Sequence, residues 1–210
     1  MNEHFNRLIN YLIYFTRQIF SRNNEEINNV PNICKDPYSK IIDNIYIGDY
    51  RIAGNLEELN KIGIKHIINS TNEYPNKFPD NFNYLNLKLK DDIHQDLTNA
   101  FEESYSFLKK NKGDKILIHC IGGFSRSVVL VMYYLMKEYN YTFNYALNYI
   151  VEKRKEININ DGFKKQLLDA EKNLLGDKAE GEGKFNNYKN ENDYNENNPL
   201  IDDTDIKIDS

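Results

Sequence analysis

The chain has 210 residues, 40% of them hydrophobic and 13% aromatic, which is enough for one domain with a real core. Its formal charge is −5, but ten acidic and four basic residues from Gly176 onward account for −6, leaving Met1–Leu175 at +1. A nearly neutral domain has no basic stripe with which to displace counterions, so a nucleic-acid partner is not expected. The two cysteines, Cys34 and Cys120, do not make the disulfide framework of a small secreted domain.

A reducing, intracellular setting, cytoplasmic or nuclear, is therefore the expected address. At the N-terminus Phe5, Leu8, Ile9, Leu12, Ile13 and Ile19 recur at the spacing of one helix face. Residues 1–21 read as an amphipathic helix, either packed on the domain or offered to a partner or a membrane surface. No small-residue cleavage site follows it, and no run of about 18 apolar residues suits a membrane-spanning helix. Residues 22–40, with Asn pairs, two prolines and no periodicity, read as a linker in which Cys34 is an incidental thiol.

The folded domain is expected over 41–175, with strands and helices in alternation. Ile45–Ile47 is a short β run, Asn55 caps a helix through Leu56, Leu59 and Ile62, and His66–Ile68 is again strand-like. Tyr74–Asn83, with Pro75 and Pro79, reads as a variable loop beside the cleft. Leu85, Leu87 and Leu89 alternate with polar residues as in a half-buried strand, and Leu97, Phe101, Tyr105 and Leu108 follow at helical spacing. Ile116–Ile118 is a fully apolar strand. The segment from Ser125 to about Tyr139 is apolar on nearly every side and must be a buried helix. Helices over Thr142–Lys155 and Asp161–Leu175, the second capped by Asp161, complete an α/β fold with a central, largely parallel sheet flanked by helices. Residues 176–210, rich in Asn, Asp and Glu, read as an acidic disordered tail.

The chemistry lies between the last strand and the buried helix, in His119-Cys120-Ile121-Gly122-Gly123-Phe124-Ser125-Arg126-Ser127. A six-residue loop curling into a helix N-terminus can aim successive amides at a phosphate dianion, and Ile121, Gly122, Gly123, Phe124 and Ser125 would supply them. Arg126, in the first helical turn, carries a planar fork that holds two phosphate oxygens. The same field favours thiolate over thiol at Cys120 and makes it a nucleophile. Ser127 is expected to donate to the sulfur, and His119 to order the loop through a ring N–H. A leaving oxygen must be protonated as its bond breaks, which calls for an acid on a neighbouring loop. Asp91 and Asp92 both follow the leucine strand. Asp91 keeps the parity of the inward leucines and is preferred, with Asp92 the alternative.

His119-Cys120, five residues, then Arg126-Ser127 resembles the signature of the cysteine-dependent protein tyrosine phosphatase superfamily, and Gly123–Ser127 resembles its dual-specificity branch. The similarity extends over roughly 41–174, through Ile45–Gly48, Gly63–Asn69, Asp91, Arg154, Ile157, Asn160, Phe163, Gln166 and Leu167. It implies the phosphatase three-layer sandwich, hydrolysis of phosphotyrosine and phosphoserine or phosphothreonine in protein substrates through a cysteinyl-phosphate, and no metal or organic cofactor. It also implies that Asn160 supports the loop. Gly122 stands where this branch often has alanine. The alternatives are the same chemistry on a phosphoinositide, a phosphorylated glucan or an RNA 5′ phosphate, and a non-catalytic phosphate-binding adaptor. Relatives acting on inositol lipids commonly carry basic loop residues where this chain has Ile121 and Phe124.

Overall fold

The structure, a computed structural model, describes residues 34–176. The expected helix over 1–21, most of the linker and all but the first residue of the acidic tail lie outside those residues. The described chain runs β1 (Tyr38–Ile42), β2 (Ile45–Gly48), α1 (Tyr50–Ala53), α2 (Leu56–Ile62), β3 (Ile64–Thr71), β4 (Asn83–Leu89), α3 (Thr98–Lys110), β5 (Lys115–His119), α4 (Arg126–Tyr139), α5 (Phe143–Lys153) and α6 (Asp161–Leu175).

The strands form one sheet in the order β1-β2-β5-β3-β4. Only β1 runs against its neighbour; β2, β5, β3 and β4 are mutually parallel. Helices cover both faces, which explains why the central strand β5 is an unbroken apolar run. Ile116 and Ile118 point into the larger core with α3, α4, α5 and α6, whereas Leu117 joins Tyr46, Ile52, Leu59 and Ile67 under α1 and α2. In β3 a bulge between Ile64 and His66 lets Ile64 share the face of Ile67 despite their odd spacing. The helix α4 is buried from Arg126 through Met136, as its all-round apolarity requires. None of the helices among the described residues is long and apolar enough to cross a membrane.

Two expectations need correction. Residues 34–40 are not free linker: β1 begins at Tyr38, the Pro37 carbonyl accepts from Asp49 N at 2.9 Å, and Cys34 is buried. This stretch is held mainly through its backbone, so it shows no apolar periodicity. The helix α6 is capped by Asn160, whose Oδ1 accepts from Phe163 N at 2.9 Å, and not by Asp161, which is its first helical residue. The Tyr74–Asn83 loop is anchored at both ends, Tyr74 and Phe82 being buried in the smaller core.

Shortening a side chain in the central strand leaves a cavity between layers that cannot collapse. Ile118→Ala is expected to lower the unfolding free energy by about 3 kcal/mol, read from the urea midpoint at unchanged slope. Leu168→Ala, at a residue 41% exposed, should stay within about 0.5 kcal/mol of the parent.

Candidate active site

The parallel strands β2, β5 and β3 open their carboxyl ends toward the segment Cys120–Ser125, which links β5 to α4. The carbonyls of His119 just before it and of Ile121, Gly123 and Phe124 within it have donors from elsewhere in the fold. Ser70 Oγ donates to His119 O at 2.6 Å, Tyr50 N to Ile121 O at 3.1 Å, Arg154 Nε to Gly123 O at 2.7 Å and Asn158 N to Phe124 O at 3.0 Å. A trans peptide sets each carbonyl opposite the next N–H, so anchoring these oxygens outward turns the amides of Gly122, Phe124 and Ser125 inward. Gly123 N donates to Cys120 Sγ at 3.1 Å and Ser127 Oγ to the same sulfur at 3.4 Å. Gly123 itself has φ +69, and a Cβ there would lie 2.5 Å from Arg154 Nη2 and 2.8 Å from Gly48 O, so only glycine fits. At Gly122 the ring of Phe124 folds over the position an alanine methyl would occupy, which accounts for the glycine.

Arg126, 5% exposed, lies at the start of α4. Its Nη1 donates to Glu73 Oε2 at 2.7 Å and to Leu89 O at 3.1 Å, and its Nε is 3.6 Å from Asp91 Oδ2. Burial works against its charge, but the Cys120 sulfur, Glu73 and Asp91 together raise its pKa above the ordinary arginine value. Asp91 Oδ1 accepts from Ser125 Oγ at 2.9 Å and from Asn160 Nδ2 at 3.1 Å. Asp92 turns away: its Oδ1 accepts from His94 N at 2.8 Å and closes a local turn. Asn160 thus reaches Asp91, not the loop backbone. His119 is fully buried, with Nδ1 3.3 Å from Cys120 O and its ring edge-on to Tyr74 at 6.2 Å.

The structure brings together Cys120, Ser127, Arg126, Ser125 and Asp91. Sequence reasoning missed five contributors: Glu73, the donors Tyr50, Ser70 and Asn158 around the loop, and Cys34, whose thiol lies 3.9 Å from Gly123 O and 3.3 Å from Glu156 O.

A cysteine and an arginine thus stand at the two ends of an amide-lined loop on an α/β sandwich. The family model "Dual specificity phosphatase, catalytic domain" matches residues 45–173, and the chain belongs to that family. "Protein phosphatase Slingshot" of Drosophila melanogaster is 38% identical over 146 residues, which are 66% of this chain and 14% of that protein. Human "Dual specificity protein phosphatase 9" is 38% identical over 141 residues, 64% of this chain and 36% of the relative. The chain therefore spans only a minor part of these relatives. Among solved structures, the human "tyrosine phosphatase-like serine/threonine/tyrosine-interacting protein" aligns with TM-score 0.62 and 31% identity, covering 66% of this chain and 97% of that one.

Burial holds the His119 pKa down at about 4, against 6.5 for a free imidazole, with the Cys120 carbonyl acting in the opposite direction. Above pH 6.5 the ring is neutral in folded and unfolded chains alike; between 6.5 and 4 only the unfolded chain takes up the proton. Stability is expected to fall by about 3 kcal/mol across that window. The stability of His119→Gln should vary less with pH there, and equal slopes for both proteins would contradict a neutral buried ring.

Proposed function

We propose that this domain is a protein phosphatase that hydrolyses phosphotyrosine and phosphoserine or phosphothreonine through a cysteinyl-phosphate intermediate. The observation that carries the reading is the arrangement around one sulfur: Cys120 Sγ beneath inward amides, with Arg126 on one side and the tethered Asp91 nearby. In the first step Sγ attacks phosphorus in line with the departing oxygen. The amides of 121–125 and the Arg126 guanidinium take up charge on the phosphoryl oxygens as the P–O bond breaks. Asp91 gives its proton to the leaving alkoxide or phenoxide. In the second step Asp91 accepts a proton from water as that water attacks phosphorus, the S–P bond breaks and inorganic phosphate leaves. The Ser127 hydroxyl stabilises the departing thiolate. His119 holds the loop as a neutral ring.

Phosphorylated proteins are the substrates this reading favours, since the loop side chains Ile121 and Phe124 are apolar where an inositol polyphosphate would call for cations. A non-catalytic adaptor, suggested by the "interacting protein" in one relative's name, would have no need of a nucleophile already bonded by two donors. The cytoplasmic or nuclear address belongs to the same proposal, because both thiols are free and a thiolate nucleophile persists in reducing surroundings.

With an aryl phosphate as substrate, Cys120→Ser is expected to abolish turnover while tungstate still binds. Asp91→Ala should lower kcat by about 100-fold and leave KM near its original value. Full turnover by the Cys120→Ser protein would overturn the assignment.

A further inference from the structure

We propose that Glu73 is a positioning residue for the phosphate clamp: its carboxylate holds one end of the Arg126 guanidinium so that the opposite edge, Nε and Nη2, faces the phosphoryl group. The inference rests on the reading of Arg126 as the group that binds phosphate.

An arginine side chain has about 2 kcal/mol of rotamer freedom to lose, so a clamp that must present a defined edge gains from being fixed in advance. The guanidinium is rigid and planar, with five N–H donors. Among the described residues, the side-chain hydrogen bonds of Arg126 leave from Nη1, to Glu73 Oε2 at 2.7 Å and to Leu89 O at 3.1 Å. The two acceptors follow different strands, Glu73 after β3 and Leu89 at the end of β4. Two fixed points on a single nitrogen of a rigid plane set the direction of the other edge. That edge carries an independent sign of its purpose. Arg126 Nε is fully buried without a hydrogen-bond acceptor among the described residues, its nearest carboxylate oxygen being Asp91 Oδ2 at 3.6 Å. A buried cationic donor left unmade is costly, and the parallel Nε and Nη2 donors match two oxygens of a phosphoryl group.

Glu73 is itself held in place. Asn69 Oδ1 accepts from Thr71 N at 3.0 Å, Asn69 Nδ2 donates to Tyr74 O at 2.8 Å, and Tyr74 N donates to Thr71 Oγ1 at 3.0 Å. These bonds lock the turn on both sides of Glu73, and the buried Tyr74 pins it against the rings of His119 and Tyr50. The carboxylate, 38% exposed, keeps contact with solvent, so its charge beside an incoming dianion is partly screened. Because Glu73 engages Nη1 and not the Nε edge, it orients the arginine without competing for the phosphate.

The test uses the full chain and two readouts: tungstate affinity by calorimetry in the Cys120→Ser background, and kcat and KM for an aryl phosphate with Cys120 intact. Glu73→Ala is expected to weaken tungstate binding about tenfold and to raise KM more than it lowers kcat, with little change in thermal midpoint. Glu73→Gln keeps an acceptor for Nη1 and should recover most of the affinity. In an Arg126→Lys background, Glu73→Ala should cost nothing further, because Glu73 acts through the guanidinium. Unchanged or tighter binding in Glu73→Ala, no recovery in Glu73→Gln, or an undiminished loss beside Lys at 126 would each overturn the proposal. If the alanine protein fails to fold, Glu73→Asp serves: a carboxylate one methylene short should give an intermediate loss, and parent affinity would refute positioning. Tungstate binding that depends on Glu73 in a chain without turnover would sink the enzymatic reading and leave this one standing.

Discussion

A loop that turns its amides toward one point has to send its carbonyl oxygens the other way, and each buried oxygen needs a donor. Here the donors come from four separate places: Ser70 in β3, Tyr50 at the start of α1, Arg154 just past α5, and Asn158 in the segment before α6. None is near the loop in sequence. The shape of the amide-lined loop therefore depends on the packing of the whole domain. One donor of this network, Arg154 Nη2, is itself buried without a hydrogen-bond partner among the described residues. The strap from Cys34 to Pro37 belongs to the same network, since Arg154 also donates to Asp36 O at 3.3 Å and Arg51 to Cys34 O at 2.5 Å.

The charge pattern follows from that scaffold. Arg126 stands among the Cys120 sulfur, Glu73 and Asp91, which keep its guanidinium protonated despite burial. His119, one residue before Cys120, stays neutral because no carboxylate compensates its burial. A protonated imidazole there would place a second cation behind the loop without a partner. Neutrality lets the ring pack edge-on to Tyr74, and that contact links the loop to the turn that carries Glu73. The ring thus contributes packing at the end of the strand.

What could be read from the sequence depended on whether a segment's role is written in its own residues. The strand Ile116–Ile118, the glycines and the buried helix from Arg126 announce themselves, because two-sided burial, tight turning and anion binding each demand particular side chains. Asp91 was legible through strand parity, and it does face the loop although Lys88, at φ +52, disturbs the strand just before it. The strap at Cys34, the four-residue α1 and Glu73 were not legible. Their roles lie in backbone bonds or in a pairing across 53 residues of chain, and neither leaves a periodic trace. Asn160 was associated with the site by resemblance alone. In the structure its side chain does two things at once, Oδ1 capping α6 while Nδ2 holds Asp91.

That shared side chain sets the position of the Asp91 carboxylate. The segment from Asp91 to Gln95 is exposed apart from Gln95, with Ile93 56% exposed, so burial does little to fix it. Two contacts with α6 replace burial. Asn160 pulls on the Asp91 carboxylate, and Gly162 lets the Ile93 backbone press so close that a Cβ would sit 2.6 Å from the Ile93 carbonyl carbon. Phe163 and Leu167, both fully buried, seat α6 in the core and transmit that rigidity to the loop. A helix whose sequence reads as ordinary packing therefore decides where the Asp91 carboxylate stands relative to the Cys120 sulfur, 29 residues further along the chain.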